Sequence, residues 1–145
     1  MTTGLAVFDT TVQDSNLWLK DVAGQLGGCE RQEAYAALRA VLHALRDRLQ
    51  PQAAVNFAAQ LPMLLRGVYF EGWTMPDAPS RTRSVQDFAD AIAASLPPRF
   101  QYDPLLCARA VFATAARYLS DGEADKVMSQ LPQYLRELWP HVEIV

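Results

Sequence analysis

Four arginines and one aromatic–acidic run hold most of the chemistry this chain can offer. Arg39 and Arg109, and likewise Arg66 and Arg136, stand 70 residues apart. A guanidinium presents a planar fork that suits carboxylates and phosphates. If the fold brings these pairs together, they make an anion site. The architectural alternative is that Arg66 and Arg136, late in their helices, complement the negative end of the helix dipole. Arg39 and Arg109, beside apolar helix faces, would then pair with acids in a structural contact from repeat to repeat. Tyr69, Phe70, Glu71 and Trp73 form a single run of aromatics around one carboxylate. Amphipathic aromatics suit a ligand or partner surface. The architectural alternative is a plug closing one end of a helical core.

The remaining reactive side chains are isolated. His43 lies opposite the apolar positions of its helix and is expected in solvent, and His141 lies in the C-terminal tail. Neither a C-x-x-C nor an H-x-x-x-H spacing is present, so no zinc site is expected. Asp121, Glu123 and Asp125 alternate, but Gly122 and a helical setting exclude a calcium loop and make them a solvated first turn. Cys29 follows Gly28 in a loop without an adjacent basic group, a poor setting for a nucleophile. No glycine-rich phosphate loop and no G-x-S-x-G pattern occurs. The reading is therefore no catalytic residue, no metal and no cofactor.

Composition bounds the setting in which these residues act. The chain has 145 residues, half of them hydrophobic, with a net charge of −3. Neither half is basic, which argues against nucleic acid as a partner. No apolar run is long enough for a membrane span, and no secretory leader is visible. Two lone cysteines fit reduced thiols, so a cytoplasmic protein is expected, with no membrane partner.

Apolar periodicity then predicts helices throughout. Residues 1–9 read as a loose lead-in, with Thr11 capping a first helix that carries Trp18, Val22 and Leu26. Gly27-Gly28 ends it. Arg31 to Leu49 reads as the second helix, with Tyr35, Leu38, Val41, Leu42, Leu45 and Leu49 on one face. A third begins at Pro51 and runs through Pro62, with a kink or a break expected near Gln60 and a Pro-kinked third helix the favoured form, its freed backbone groups met by Gln60 or by water. Residues 74–83 read as a linker. Ser84 and Asp103 cap the next two helices, and Ser120 with Glu123 opens the last through a capping box.

The halves repeat. Ten of the 29 positions from 38 to 66 are identical to those from 108 to 136, in register and without a gap. Among them are Gln60-Leu61-Pro62 with Gln130-Leu131-Pro132, and Leu65-Arg66 with Leu135-Arg136. The expected fold is an all-α helical bundle of two tandem three-helix repeats, about 10–73 and 84–140, related by a pseudo-two-fold axis. Units this small are marginal alone, so one domain with a shared core is expected. AYAALRAVLHALRDRL, AAQLPMLLRGVYFEGW and GEADKVMSQLPQYLRELW together resemble the bacterial family catalogued as domain of unknown function 2267. That resemblance implies a small all-helical cytoplasmic protein and carries over no activity. The second copy departs from the first at Glu137, where Gly67 stands, and at Pro140, where Phe70 stands.

The functional expectation is a non-enzymatic interaction or scaffold protein, binding a protein partner or itself near Tyr69–Trp73. The alternative is a small-molecule or anion-binding module at the seam between repeats, using Arg39, Arg66, Arg109 and Arg136.

Overall fold

Pro62 and Pro132 decide how the chain is cut into helices. In the computed structural model, which describes residues 2–75 and 80–140, both prolines adopt extended backbone, with ψ of 146° and 147°. Each caps a new helix instead of bending an old one. Proline donates no backbone hydrogen bond and crowds the preceding turn, and here the interruption is complete. The favoured Pro-kinked third helix is thus corrected to a break, and three helices per half become four.

Among the described residues the chain is all-helical. The first half contains α1 (Ala6–Gln25), α2 (Arg31–Arg48), α3 (Pro51–Ala58) and α4 (Met63–Phe70). The second contains α5 (Val85–Ser95), α6 (Pro104–Tyr118), α7 (Asp121–Gln130) and α8 (Gln133–Arg136). The expected caps form: Ser84 Oγ accepts from Asp87 N, Asp103 accepts from Leu105 N and Leu106 N, and Ser120 with Glu123 makes the capping box. The expected linker falls partly on residues 76–79, and His141 lies in the tail; both lie outside the described residues.

The start of the chain differs from the expectation. Residues 6–9 are helical, Thr11 lies inside α1, and the N-cap position is Leu5. Gly4, at φ +84°, makes the turn before it, and the Asp9 carboxylate reaches back to accept from Thr3 N at 2.6 Å. An acid in the first turn favours an earlier start because it meets unpaired N–H groups there. Phe8 is part of α1 and 51% exposed.

The centre of the molecule is α2. It was expected to bury one face, but it packs against α1, α3 and α4 of its own half and against α5 and α6 of the other. Ten of its 18 residues are buried, among them His43 and Arg46. Its alanines at 34, 37, 40 and 44 let neighbouring helices approach from several sides. One cluster of buried apolar side chains runs from Trp18 through Leu42 and Phe57 to Phe112 and Trp139, so both halves contribute to the same core. Polar ties cross between halves as well: Arg117 Nη1 donates to Asp21 Oδ1 at 2.6 Å, and Thr114 Oγ1 to Asp21 Oδ2 at 2.8 Å.

Candidate functional site

The four arginines each meet groups of their own half. Arg66 folds back from α4 so that Nε donates to Ala58 O at 3.1 Å and Nη2 to Leu61 O at 3.2 Å. Arg136 repeats this from α8, with Nε on Leu131 O at 3.1 Å and Nη2 on Ser129 O at 3.2 Å. The recipients are carbonyls in the last turn of α3 and of α7 or just beyond it, and Ala58 O also accepts from Leu61 N at 3.1 Å. Each arginine therefore serves the helix before the break, where its own helix had been the expectation. Arg109 Nη1 donates to Glu137 O at 3.2 Å. The half-buried Arg39 and the exposed Glu71 form a 3.9 Å ion pair, a geometry worth little.

Gln60 was expected to meet the freed carbonyls and instead reaches across the halves. With its amide oriented to satisfy both groups, it donates to the two Glu123 carboxylate oxygens at 3.0 and 2.7 Å. A cleft of about 300 Å³ lies there, lined by Asn56, Gln60, Glu123, Lys126 and Gln130 among others.

The aromatic run divides between core and surface. Tyr69 is wholly buried. Its hydroxyl donates to Ala54 O at 2.8 Å, and its ring meets Phe57 and Phe70 at centroid distances of 5.6 and 5.2 Å. Burial pushes this phenol well above its usual range. Phe70 stacks on Trp73 at 5.5 Å, and both are half-buried against the core. The Trp73 indole N–H is buried without an acceptor among the described residues. Glu71 is exposed. Of the four residues expected at a surface, Tyr69 is an interior pillar, and Glu71 with the outer edges of Phe70 and Trp73 faces solvent.

This run is held by two α2 side chains that the sequence reading missed or misplaced. His43, expected in solvent, is 8% exposed, and its Nε2 lies 2.7 Å from Val68 O. As a donor to that carbonyl, Nε2 carries the proton. Burial lowers the imidazole pKa below its usual value, and the nearby Arg46 and Arg39 push it the same way, against the Val68 hydrogen bond and the Asp47 charge, which raise it. Arg46, 7% exposed, donates from Nη1 to Tyr69 O at 3.0 Å and to Glu71 O at 2.8 Å. Asp47 neutralises it through Nε at 2.9 Å. Together His43 and Arg46 cap the C-terminal carbonyls of α4, and Gly72, at φ +75°, turns the chain away. A signal for this was present: Ala113 and Ala116 stand at the matching positions of the second half, so the two α2 polar residues occur in one copy, like the run they hold.

The thiols sit in ordinary surroundings. Burial raises the Cys107 pKa to about 11, with Asp103 and Cys29 adding to it, and burial with Glu33 raises Cys29. Neither is an activated nucleophile. Among the described residues no group of three or more His, Cys, Asp or Glu side chains is placed to hold a metal ion. No described helix is long and apolar enough to cross a membrane.

A larger exposed feature lies at the other end of α4. α1 is 20 residues long and α5 only 11, yet their ends, Gln25 and Ser95, are in repeat register. The whole difference is an N-terminal overhang of α1. Leu5, Val7, Phe8 and Val12 on it are 39–51% exposed, and Met63 and Leu64 at its foot are 52% and 50% exposed. The foot is fixed by Leu64 N donating to Thr11 Oγ1 at 2.9 Å. The sequence reading overlooked this patch, although the i, i+3, i+7 spacing of Leu5, Phe8 and Val12 is visible in the sequence.

A family profile described as "Uncharacterized conserved protein (DUF2267)" matches residues 15–138. No curated protein matches the chain.

Proposed function

The chain belongs to the DUF2267 family, and we propose that it acts as a non-enzymatic protein-interaction module. Its two halves, in this reading, are pseudo-two-fold-related copies of one unit. They share a core, and the first copy carries additions that make contact with a partner. The observation behind this is the overhang of α1, whose apolar side chains and those of Met63 and Leu64 form one exposed patch. Exposed apolar patches beyond a few hundred Å² on a soluble protein mark interaction surfaces. The reading moves the contact surface from Tyr69–Trp73 to the α1 overhang, because Tyr69 is interior and its neighbours pack on the core. A cytoplasmic setting fits the two free thiols. Anion binding at the repeat seam has less behind it, since Arg39, Arg66, Arg109 and Arg136 already meet an acid or carbonyls of their own halves.

A photoactivatable residue replacing Val7, compared with one replacing Gln86 on the outer side of α5, tests this in cells that naturally make the protein. A discrete adduct from position 7 and none from position 86 is expected. Absence of any adduct from position 7 would remove the reading.

A further inference from the structure

A polar stripe on α2 meets the end of α4. Arg39, His43 and Arg46 are spaced i, i+4, i+7, one above another along the helix. Arg46 Nη1 donates to Tyr69 O and Glu71 O, His43 Nε2 to Val68 O, and Arg39 pairs with the Glu71 carboxylate. Residue 71 thus reaches from Arg39 to Arg46 and lies across His43, which sits between them. The segment held in this way has weak points of its own. Gly67 lies within α4, and Gly72, at φ +75°, follows it. Phe70 and Trp73 are half-buried, and the Trp73 indole N–H has no acceptor among the described residues, a cost that water would relieve. Tyr69, by contrast, is anchored in the core through its hydroxyl on Ala54 O.

We infer that this end of α4 is a proton-operated latch: a second proton on the His43 imidazole releases the turn Phe70–Trp73, while Tyr69 and the core stay in place. The Nε2 proton is already committed to Val68 O, and the added proton, on Nδ1, meets no acceptor among the described residues. The charges acting on the ring are Arg46 and Arg39, which oppose that proton, and Asp47, which favours it but is engaged by Arg46. All three are on α2. From the α4 side the ring meets the Val68 carbonyl, and the Glu71 carboxylate there is turned to Arg39. No charged group of α1, α3, α5 or α6 among the described residues acts on it. Burial, aided by the two arginines, holds the imidazole of the closed turn below its ordinary 6.5. The closed turn is therefore fully stabilised above that value and loses stability as pH falls through it toward the lower closed value. Lifting Phe70–Trp73 lets water reach the ring at the loss of a few contacts, which makes the opening local. The second half has Ala113 and Ala116 at the matching positions, so its end carries no such device.

Residue-resolved amide hydrogen exchange, each rate divided by its intrinsic value, tests this between about pH 7.5 and pH 5.5. The reporters are Glu71 N, bonded to Gly67 O, and Trp73 N, bonded to Phe70 O. Leu138 N and Trp139 N, bonded to Leu135 O and Arg136 O, report on the end without the latch. In the wild-type chain the protection of Glu71 and Trp73 should fall severalfold as pH drops, and that of Leu138 and Trp139 should hold. His43→Gln should abolish the fall. Arg39→Gln, at a half-buried position, removes a charge that opposes the proton and should reduce the fall, which keeps the test decisive should His43→Gln not fold. Protection of Glu71 and Trp73 that does not change with pH overturns the latch. So does a fall shared equally by Leu138 and Trp139, or one undiminished in either folded variant. The latch does not rest on the contact at the α1 overhang: cross-linking from position 7 and exchange at residues 71 and 73 report on opposite ends of α4 and fail separately.

Discussion

α4 and α8 begin alike and end differently. Each follows a Gln-Leu-Pro break, and each sends an arginine back to the carbonyls of the preceding helix. α4 then continues to Phe70, while α8 stops at Arg136, four residues earlier in the repeat register. The cause lies in the helix behind them. α2 supplies His43 and Arg46 to cap a long α4, whereas α6 has Ala113 and Ala116 there and uses Arg109 to meet Glu137 O. In the second half Trp139 closes the core against Phe112 at 5.6 Å. The duplicated residues therefore make the break and satisfy its loose ends, and the residues found once extend the first half. The overhang of α1 belongs with this second group.

The largest test of this contrast is Arg46→Met. It leaves two carbonyls of the α4 end without their charged donor in a buried place, and should cost about 3 kcal/mol in urea unfolding. The matching test in the other half, Arg109→Met, removes one exposed bond and should cost under about 1 kcal/mol. Equal losses would mean that the α4 end is not specially held. Next, Tyr69→Phe deletes the buried bond to Ala54 O and should cost about 1–2 kcal/mol. Arg66→Ala and Arg136→Ala should each cost about 1 kcal/mol, and their sum should match the double variant within about 0.5 kcal/mol. A large disparity between these two would break the claim that the duplicated motif does the same work twice.

A pH test sharpens the contrast further. His43 has a pKa below 6.5 in the folded chain, so the unfolded chain takes up its proton first as pH falls. Its contribution to stability is complete above the unfolded value and is lost as pH drops through about 6.5 toward the lower folded value. His43→Gln keeps an amide N–H for Val68 O and cannot titrate. Between about pH 7.5 and pH 5.5 the wild type should lose more stability than this variant. Parallel unfolding curves would show that His43 is not held neutral by its surroundings. The smallest expected effect is that of Phe8→Asp on stability. It should stay within about 0.5 kcal/mol, because Phe8 lies outside the core cluster. A larger loss would mean that the overhang is part of the fold.

Helix positions were legible because their signals are local. Asp103-Pro104 and Ser120-x-x-Glu123 start helices through bonds within one turn, and the structure places the starts there. Gly27-Gly28 ends α1 with both residues at positive φ. The proline was legible as an interruption but not in its severity, because whether a helix bends or breaks depends on who receives the freed carbonyls. Arg66 and Arg136 do so, and their approach from the next helix is a tertiary event. His43 was misplaced for a related reason. A helix wheel assigns an inside from apolar residues alone, and α2 has helices on almost every side.

By itself, then, the sequence determined the all-helical class, the 70-residue repeat, the caps of α5, α6 and α7 and most of the apolar core, because these follow from backbone geometry and side-chain periodicity over a few turns. Only the tertiary structure decided that α2 is central and that Tyr69 is a pillar. It also decided that the arginines serve helix ends and that the first turns of α1 stand clear of the core. Each of these depends on which surfaces meet across dozens of residues. In that competition a carbonyl without a partner, or an apolar face without cover, outweighs any local preference.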